Sequence, residues 1–206
     1  MNTQQAQQVV PPMHDELILV VKRELLFKGQ EVWHGLKTAD IEETIFCIDQ
    51  HKEFLPRSVM EQDTRYKQII PYLVFMHENR YFLMQRQSKT TEQRLKNKYS
   101  MGIGGHINQE DMTSNSIIDW AKREFHEEIS YAGNYTVEVL GMLNDDSNAV
   151  GEVHLGLVLL LHGDSADIVV KSELKSGVLL SLEDAEFYYP NMESWTQIVY
   201  HALQAK

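Results

Sequence analysis

Apolar and polar positions fall in blocks along the chain, and the blocks predict a mixture of strands and helices. Ile69 to Met76 is apolar, His77-Glu78-Asn79-Arg80 is polar and Tyr81 to Met84 is apolar again, which reads as a β-hairpin. Tyr135 to Leu143 and Glu152 to Leu161 are further strand candidates, separated by the turn-rich Asn144-Asp145-Asp146-Ser147-Asn148. Leu17 to Val21 and Val178 to Leu182 add shorter ones, and Tyr99 to Ile103 leads into a Gly104-Gly105 pair. Helical spacing of Ile41, Ile45, Phe46 and Ile48 predicts a short helix opening near Thr38 or Asp40. Trp195, Ile198, Val199 and Leu203 predict a C-terminal helix after Pro190 and a capping Asn191. Ser116-Ile117-Ile118-Asp119 resembles a capping box, with aspartate in place of Glu or Gln, and starts a helix running to about Ile129.

These blocks divide the chain. Residues 1–14 carry no periodic pattern and contain Pro11-Pro12, so they read as a disordered lead. Residues 15–65 read as an N-terminal extension packing on the core, and the polar stretch from Glu53 to Lys67, which holds Pro56, as a connector. Residues 66–206 carry the main unit, without internal repeats. The longest apolar stretch, Val153 to Leu161, is interrupted by His154 and Gly156 and falls far short of the roughly 20 residues a membrane helix needs. The glutamine-rich start lacks the residue order of a secretory signal, so a cytoplasmic location and no membrane partner are expected.

Composition narrows the function. Two hundred and six residues with 43% hydrophobic content suit one globular domain with an appended piece. Nineteen basic residues against thirty acidic ones give a net charge of −11, which argues against a nucleic-acid polymer as partner. Cys47 is the single cysteine, so an internal disulfide and a cysteine-built zinc site are both excluded.

The informative stretch is Gly104-Gly105-His106-Ile107-Asn108-Gln109-Glu110-Asp111, then Arg123-Glu124-Phe125-His126-Glu127-Glu128. On a helix, Glu124, Glu127 and Glu128 lie within an arc of roughly 100°, while Ile118, Phe125 and Ile129 share a neighbouring apolar face. Acidic runs are often only solvated faces. Here each like-charged pair costs a few tenths of a kcal/mol, and hard oxygen ligands grouped this closely suit Mg²⁺ or Mn²⁺. Arg123 precedes Glu127 by four residues and can reach back to Glu110 or Asp111, fixing the loop on the helix.

These residues resemble the signature of the Nudix (MutT-type) hydrolases, G-x5-E-x7-R-E-U-x-E-E-x-G-U. Gly105 matches the first glycine, Arg123-Glu124-Phe125 matches R-E-U, and Glu127-Glu128 matches the paired glutamates. Lys67 to Leu203 follows the order of elements of that superfamily. Tyr66-Lys67-Gln68-Ile69-Ile70-Pro71-Tyr72 and Tyr99-Ser100-Met101-Gly102-Ile103-Gly104-Gly105-His106-Ile107 look like a bacterial group of predicted Nudix phosphoesterases. Three departures stand out. Asp111 occupies the place of the upstream glutamate with Glu110 beside it, the eleven residues Met112 to Lys122 replace the usual seven, and Ser130 replaces the closing glycine.

The resemblance implies an α/β (α+β) fold: an α/β/α sandwich around a mixed sheet, here with an N-terminal extension. It implies hydrolysis of a small-molecule nucleoside diphosphate derivative by in-line attack of water, with Mg²⁺ or Mn²⁺ held by Glu124, Glu127 and Glu128 and a further ligand in the Gly105 carbonyl. Gly104, Asp111 and Arg123 are its structural members. The general base is Glu124, Glu127 or a later acid such as Glu152, which is also a candidate late metal ligand beside His154. Arg86, Arg94 and Lys98 flank the glycine loop as candidates for phosphate contact, and His106 either touches substrate or hydrogen-bonds the loop. A homodimer is compatible with this reading. Two alternatives stand beside it. One is a Nudix-fold sensor that binds a nucleotide-like ligand without cleaving it, although such modules often lose the glutamates kept here. The other is an isopentenyl-diphosphate isomerase-like enzyme, whose chemistry needs a cysteine where Gly104 stands.

Overall fold

The computed structural model describes residues 15–29, 31–86, 98–111, 116–171 and 174–206. The expected disordered lead, Arg94, and the side chains of Arg86 and Asp111 lie outside the described residues. The N-terminal part comprises β1 (Leu17–Lys22), α1 (Arg23–Phe27), β2 (Gly35–Lys37), α2 (Ile41–His51), β3 (Glu53–Pro56) and α3 (Arg57–Met60). The expected hairpin follows as β4 (Tyr66–His77) and β5 (Arg80–Arg86), then β6 (Tyr99–Ser100), β7 (Gly102–Gly104) and α4 (Ile117–Glu128). The remainder is β8 (Ile129–Tyr131), β9 (Tyr135–Asn144), α5 (Ala149–Val153), β10 (His154–Gly163), β11 (Ile168–Val170), β12 (Leu174–Leu180), α6 (Leu182–Ala185) and α7 (Ser194–Gln204).

Ten strands make one mixed sheet with the main order β12-β5-β4-β10-β9-β2. Its centre is the parallel pair β4 and β10, in register from His154 opposite Gln68 to His162 opposite Met76. A parallel pair needs a crossover, and α4 lies in the chain between the two strands. Side chains alternate across the sheet, so the central strands serve two cores. Ile69, Leu73 and Phe75 of β4, with Leu155, Leu157, Leu159 and Leu161 of β10, pack against Trp120, Ala121 and Phe125 of α4. Tyr72, Val74, Val158 and Leu160 pack on the other face against Val199, Tyr200 and Leu203 of α7. The result is the expected α/β/α sandwich.

Several elements differ from the pattern-based expectation for physical reasons. The stretch from Glu53 onward is not a bare connector: β3 pairs with β1, and Pro56 is tolerated on this peripheral strand because it removes no central hydrogen bond. Glu152 does not begin a buried strand. The Asn148 side chain accepts hydrogen bonds from the Val150 and Gly151 amides and starts the turn of helix α5, which leaves Glu152 exposed and delays β10 to His154. Asn191 belongs to a 3-10 turn, and α7 opens after Glu193. On α4 the buried stripe is Ile117, Trp120, Ala121 and Phe125, with Ile118 only half-buried at its flank.

The junction of β4, α5 and β10 is pinned by a fully buried ammonium. Lys67 Nζ donates to Asp146 Oδ1 at 2.7 Å, to the Gly151 carbonyl at 2.7 Å and to the His154 carbonyl at 3.1 Å. Burial pushes its pKa down, and the hydrogen bond and charge of Asp146 oppose that shift. Arg23 pairs with the same Asp146 carboxylate and donates to the Glu152 carbonyl at 3.2 Å. Asp146→Ala leaves the ammonium with carbonyl partners alone and is expected to cost about 3 kcal/mol in urea unfolding. Lys67→Met removes the buried charge while keeping its bulk and is expected to cost less; the reverse order would contradict this role for Asp146.

Candidate active site at the last turn of helix α4

Helix α4 is capped by Ser116, whose hydroxyl accepts from the Asp119 amide at 3.3 Å. From that start its core stripe runs 117, 120, 121, and at 100° per residue Glu124 and Glu128 continue the same stripe toward the sheet. The acids are therefore not on a face apart from the apolar one. They replace it in the final turn. Three features oppose that arrangement: burial of Glu124, mutual repulsion, and the negative end of the helix dipole. Burial, then the charges of Glu128 and Glu127, raise the Glu124 pKa from 4.5 to about 7, against the opposing charge of Arg123.

Gly105 makes room for this carboxylate. A Cβ at that position would lie 2.5 Å from Glu124 Oε1 and 3.6 Å from the Trp120 ring, so the side chain meets the bare backbone of the loop. Strand β7 delivers the loop, pairing Gly104 with Tyr72 and Ile103 with Leu73 of β4. Arg123 forms an ion pair with Glu127 one turn along, and its guanidinium lies 5.6 Å from the centre of the Trp120 ring. It thereby clamps the exposed Glu127 beside the half-buried Glu124. The donor set is all carboxylate oxygen, crowded by like charge and set against a cradle that a Cβ would fill, and it fits a hard divalent cation such as Mg²⁺ or Mn²⁺.

The other expected residues are distributed around this centre. Lys98 is half-buried just before β6, and Gly104 packs against Ile70, Pro71 and Tyr72. Arg86 contributes backbone to the end of β5. Glu152 sits instead with the cations of the Lys67 junction, where its charge acts on Lys67. His106 turns to β4: its Nε2 lies 2.7 Å from Gln68 Oε1, and Gln68 in turn donates to the Met60 carbonyl at 3.1 Å. Burial, with Arg57 and His154 adding to it, lowers the His106 pKa to about 3. His106, His154 and the stretch holding Glu61 and Gln68 gather here from three distant segments, a convergence that no spacing in the sequence signals.

Tm1382, assigned as a Nudix hydrolase, has a crystal structure that superposes with a TM-score of 0.78 at 31% identity, covering 92% of this chain and 99% of that one. The chain belongs to the Nudix hydrolases. As a Nudix hydrolase it acts on phosphorus-containing anhydrides. Protein YmaB of Bacillus subtilis (strain 168) is 32% identical over 204 residues, which cover 92% of this chain and 98% of YmaB. The Nudix domain of Shewanella oneidensis NrtR, determined with ADP-ribose, shares the fold at a TM-score of 0.54 and 12% identity, over 68% of this chain and 87% of that one. No protein-family profile matches the chain.

The raised pKa gives this Nudix hydrolase a pH signature. The stabilising contribution of Glu124 is fully present below about 4.5 and is lost as pH rises through about 7. Without added metal, wild-type stability is expected to fall relative to Glu124→Gln across that window, read as the difference between their thermal midpoints. Parallel pH profiles for the two proteins would place the Glu124 carboxyl in open water instead.

Proposed function

We propose that this chain hydrolyses the pyrophosphate linkage of a nucleoside diphosphate derivative, using Mg²⁺ or Mn²⁺ held by Glu124, Glu127 and Glu128 with the Gly105 carbonyl as a further ligand. The observation that carries the reading is the packing of Glu124 against Gly105, which sets a partly buried carboxylate beside two others on one helical turn. When bound, the cation supplies charge neutralisation at the pyrophosphate oxygens and Lewis-acid polarisation of the phosphorus centre. The protein supplies position and proton transfer. Arg123 holds Glu127 in place through its ion pair, and the glycine loop lets a phosphate approach the backbone without a side chain between them. The general base that takes a proton from the attacking water is Glu124 or Glu127 on this helix, or a later acid such as Glu152. Lys98, just before β6, supplies positive charge toward the phosphates, and Arg86 and Arg94 are candidates for the same role on their place in the sequence. No described helix is long and apolar enough to cross a membrane.

A panel of nucleoside diphosphate derivatives headed by ADP-ribose, the ligand of the NrtR domain, tests this with and without Mg²⁺ or Mn²⁺. Metal-dependent release of nucleotide is expected, and Glu127→Gln is expected to lower kcat by about 10²-fold or more with little change in thermal midpoint. Full activity of Glu127→Gln on a cleaved substrate would overturn the assignment. Tight binding without cleavage anywhere in the panel would establish the sensor reading in its place.

A further inference from the structure

We propose that Glu61, His106 and His154 form a transition-metal site of the Zn²⁺ class, distinct in its ligands from the carboxylates of α4. Glu61 follows α3, His106 lies in the loop after β7, and His154 opens β10. Their ligand atoms all lie within 4.8 Å of one another, the only such group of three among the described residues. The decisive distance is between the imidazoles. His106 Nε2 and His154 Nε2 are 3.3 Å apart. Two nitrogens bound to one tetrahedral zinc at about 2.0–2.1 Å are separated by about 3.3–3.4 Å, the edge of that tetrahedron. Glu61 Oε1 lies 4.0 Å from His106 Nε2, and a small rotation of this side chain, 37% exposed, closes the difference.

The surroundings orient the donors. His154 donates its Nδ1–H to the Val150 carbonyl at 2.7 Å, which leaves the lone pair of Nε2 pointing at His106. Val150 belongs to α5, the turn that Lys67 ties to β4 through the Gly151 and His154 carbonyls. His106 binds a metal as the Nδ1–H tautomer, its Nε2 proton having moved to Nδ1. Gln68 Oε1, now 2.7 Å from His106 Nε2, then turns to the metal or to a water beside it. The nearby cations each carry a carboxylate partner: Arg57 pairs with Glu16 at 2.8 Å and with the same Glu61 at 3.2 Å, and Lys67, which donates to the His154 carbonyl, pairs with Asp146 at 2.7 Å. Two imidazoles and one carboxylate select zinc over magnesium, and three protein ligands leave a fourth position for Gln68 Oε1 or a water.

The test is Zn²⁺ titration of the full chain against a chromophoric chelator, with Co²⁺ absorption as the report of geometry. One tightly bound equivalent and the intense visible bands of four-coordinate Co²⁺ are expected for the wild type and for the Glu127→Gln, Glu128→Gln double variant. His106→Gln is expected to abolish that equivalent. Glu61→Gln, at an exposed position that leaves the fold intact, is expected to weaken it about tenfold or more. Zinc retained by the His106 and Glu61 variants but lost from the double glutamate variant would overturn the proposal, as would the absence of a bound equivalent in folded wild type. Because both readouts are independent of hydrolysis, failure here is distinguishable from failure of the proposed activity.

Discussion

Helix α4 carries Glu124 and Glu128 toward the sheet by the same packing that buries Ile117, Trp120, Ala121 and Phe125. Once the apolar part of the stripe is seated, the acidic turn has nowhere else to go. The carboxylates meet the glycine loop, repel one another and face the negative end of the helix dipole. The apolar contacts of one large ring such as Phe125 contribute about 1.5–3 kcal/mol, enough to hold a few pairwise repulsions of tenths of a kcal/mol in place. The fold thus holds a site that is electrostatically strained and mechanically fixed, a suitable starting point for binding a cation.

Strand β4 links this site to the rest of the molecule. Its apolar residues serve both cores, while Lys67 and Gln68 at its start are fully buried and polar. Lys67 gathers Asp146, α5 and the start of β10, and Gln68 orients His106 while pairing in register with His154 and Val20. The glycine loop therefore lies between two polar centres. Gly105 receives Glu124, and its neighbour His106 turns toward β4. At successive positions of this loop, Gly105 faces the hard carboxylate donors of α4 and His106 joins the softer imidazole of His154, which gives each centre a chemical preference the other lacks.

The sequence made the hairpin, α4, the last helix and the carboxylate triplet readable because each rests on local periodicity or on a short contiguous motif. The stripe of α4 buries Ile117 where periodicity points to Ile118, because both residues are apolar and only the sheet decides which is buried. Glu152 was misplaced because its neighbours Val150 and Val153 suit a strand, whereas the cap by Asn148 acts through hydrogen bonds that hydropathy does not record. The short strand β2 was invisible since three residues carry no period, and it exists only by pairing with β9. His106, His154 and the stretch from Glu61 to Gln68 lie too far apart in the chain for spacing to connect them; the pairing of β4 with β10 sets Gln68 beside His154, and that of β4 with β7 delivers the loop of His106.

The α4 carboxylates, with the Glu124 pKa raised to about 7 by burial and like charge, are the proposed divalent-cation site. Calorimetric titration with Mg²⁺ in buffers of different ionisation enthalpy tests it most directly, because a cation arriving at a half-protonated carboxyl must expel the proton. Release of about half a proton per bound Mg²⁺ is expected near pH 7, falling toward zero at higher pH and absent in Glu124→Gln. Mg²⁺ binding with no proton release at pH 7, or release unchanged by Glu124→Gln, would contradict it.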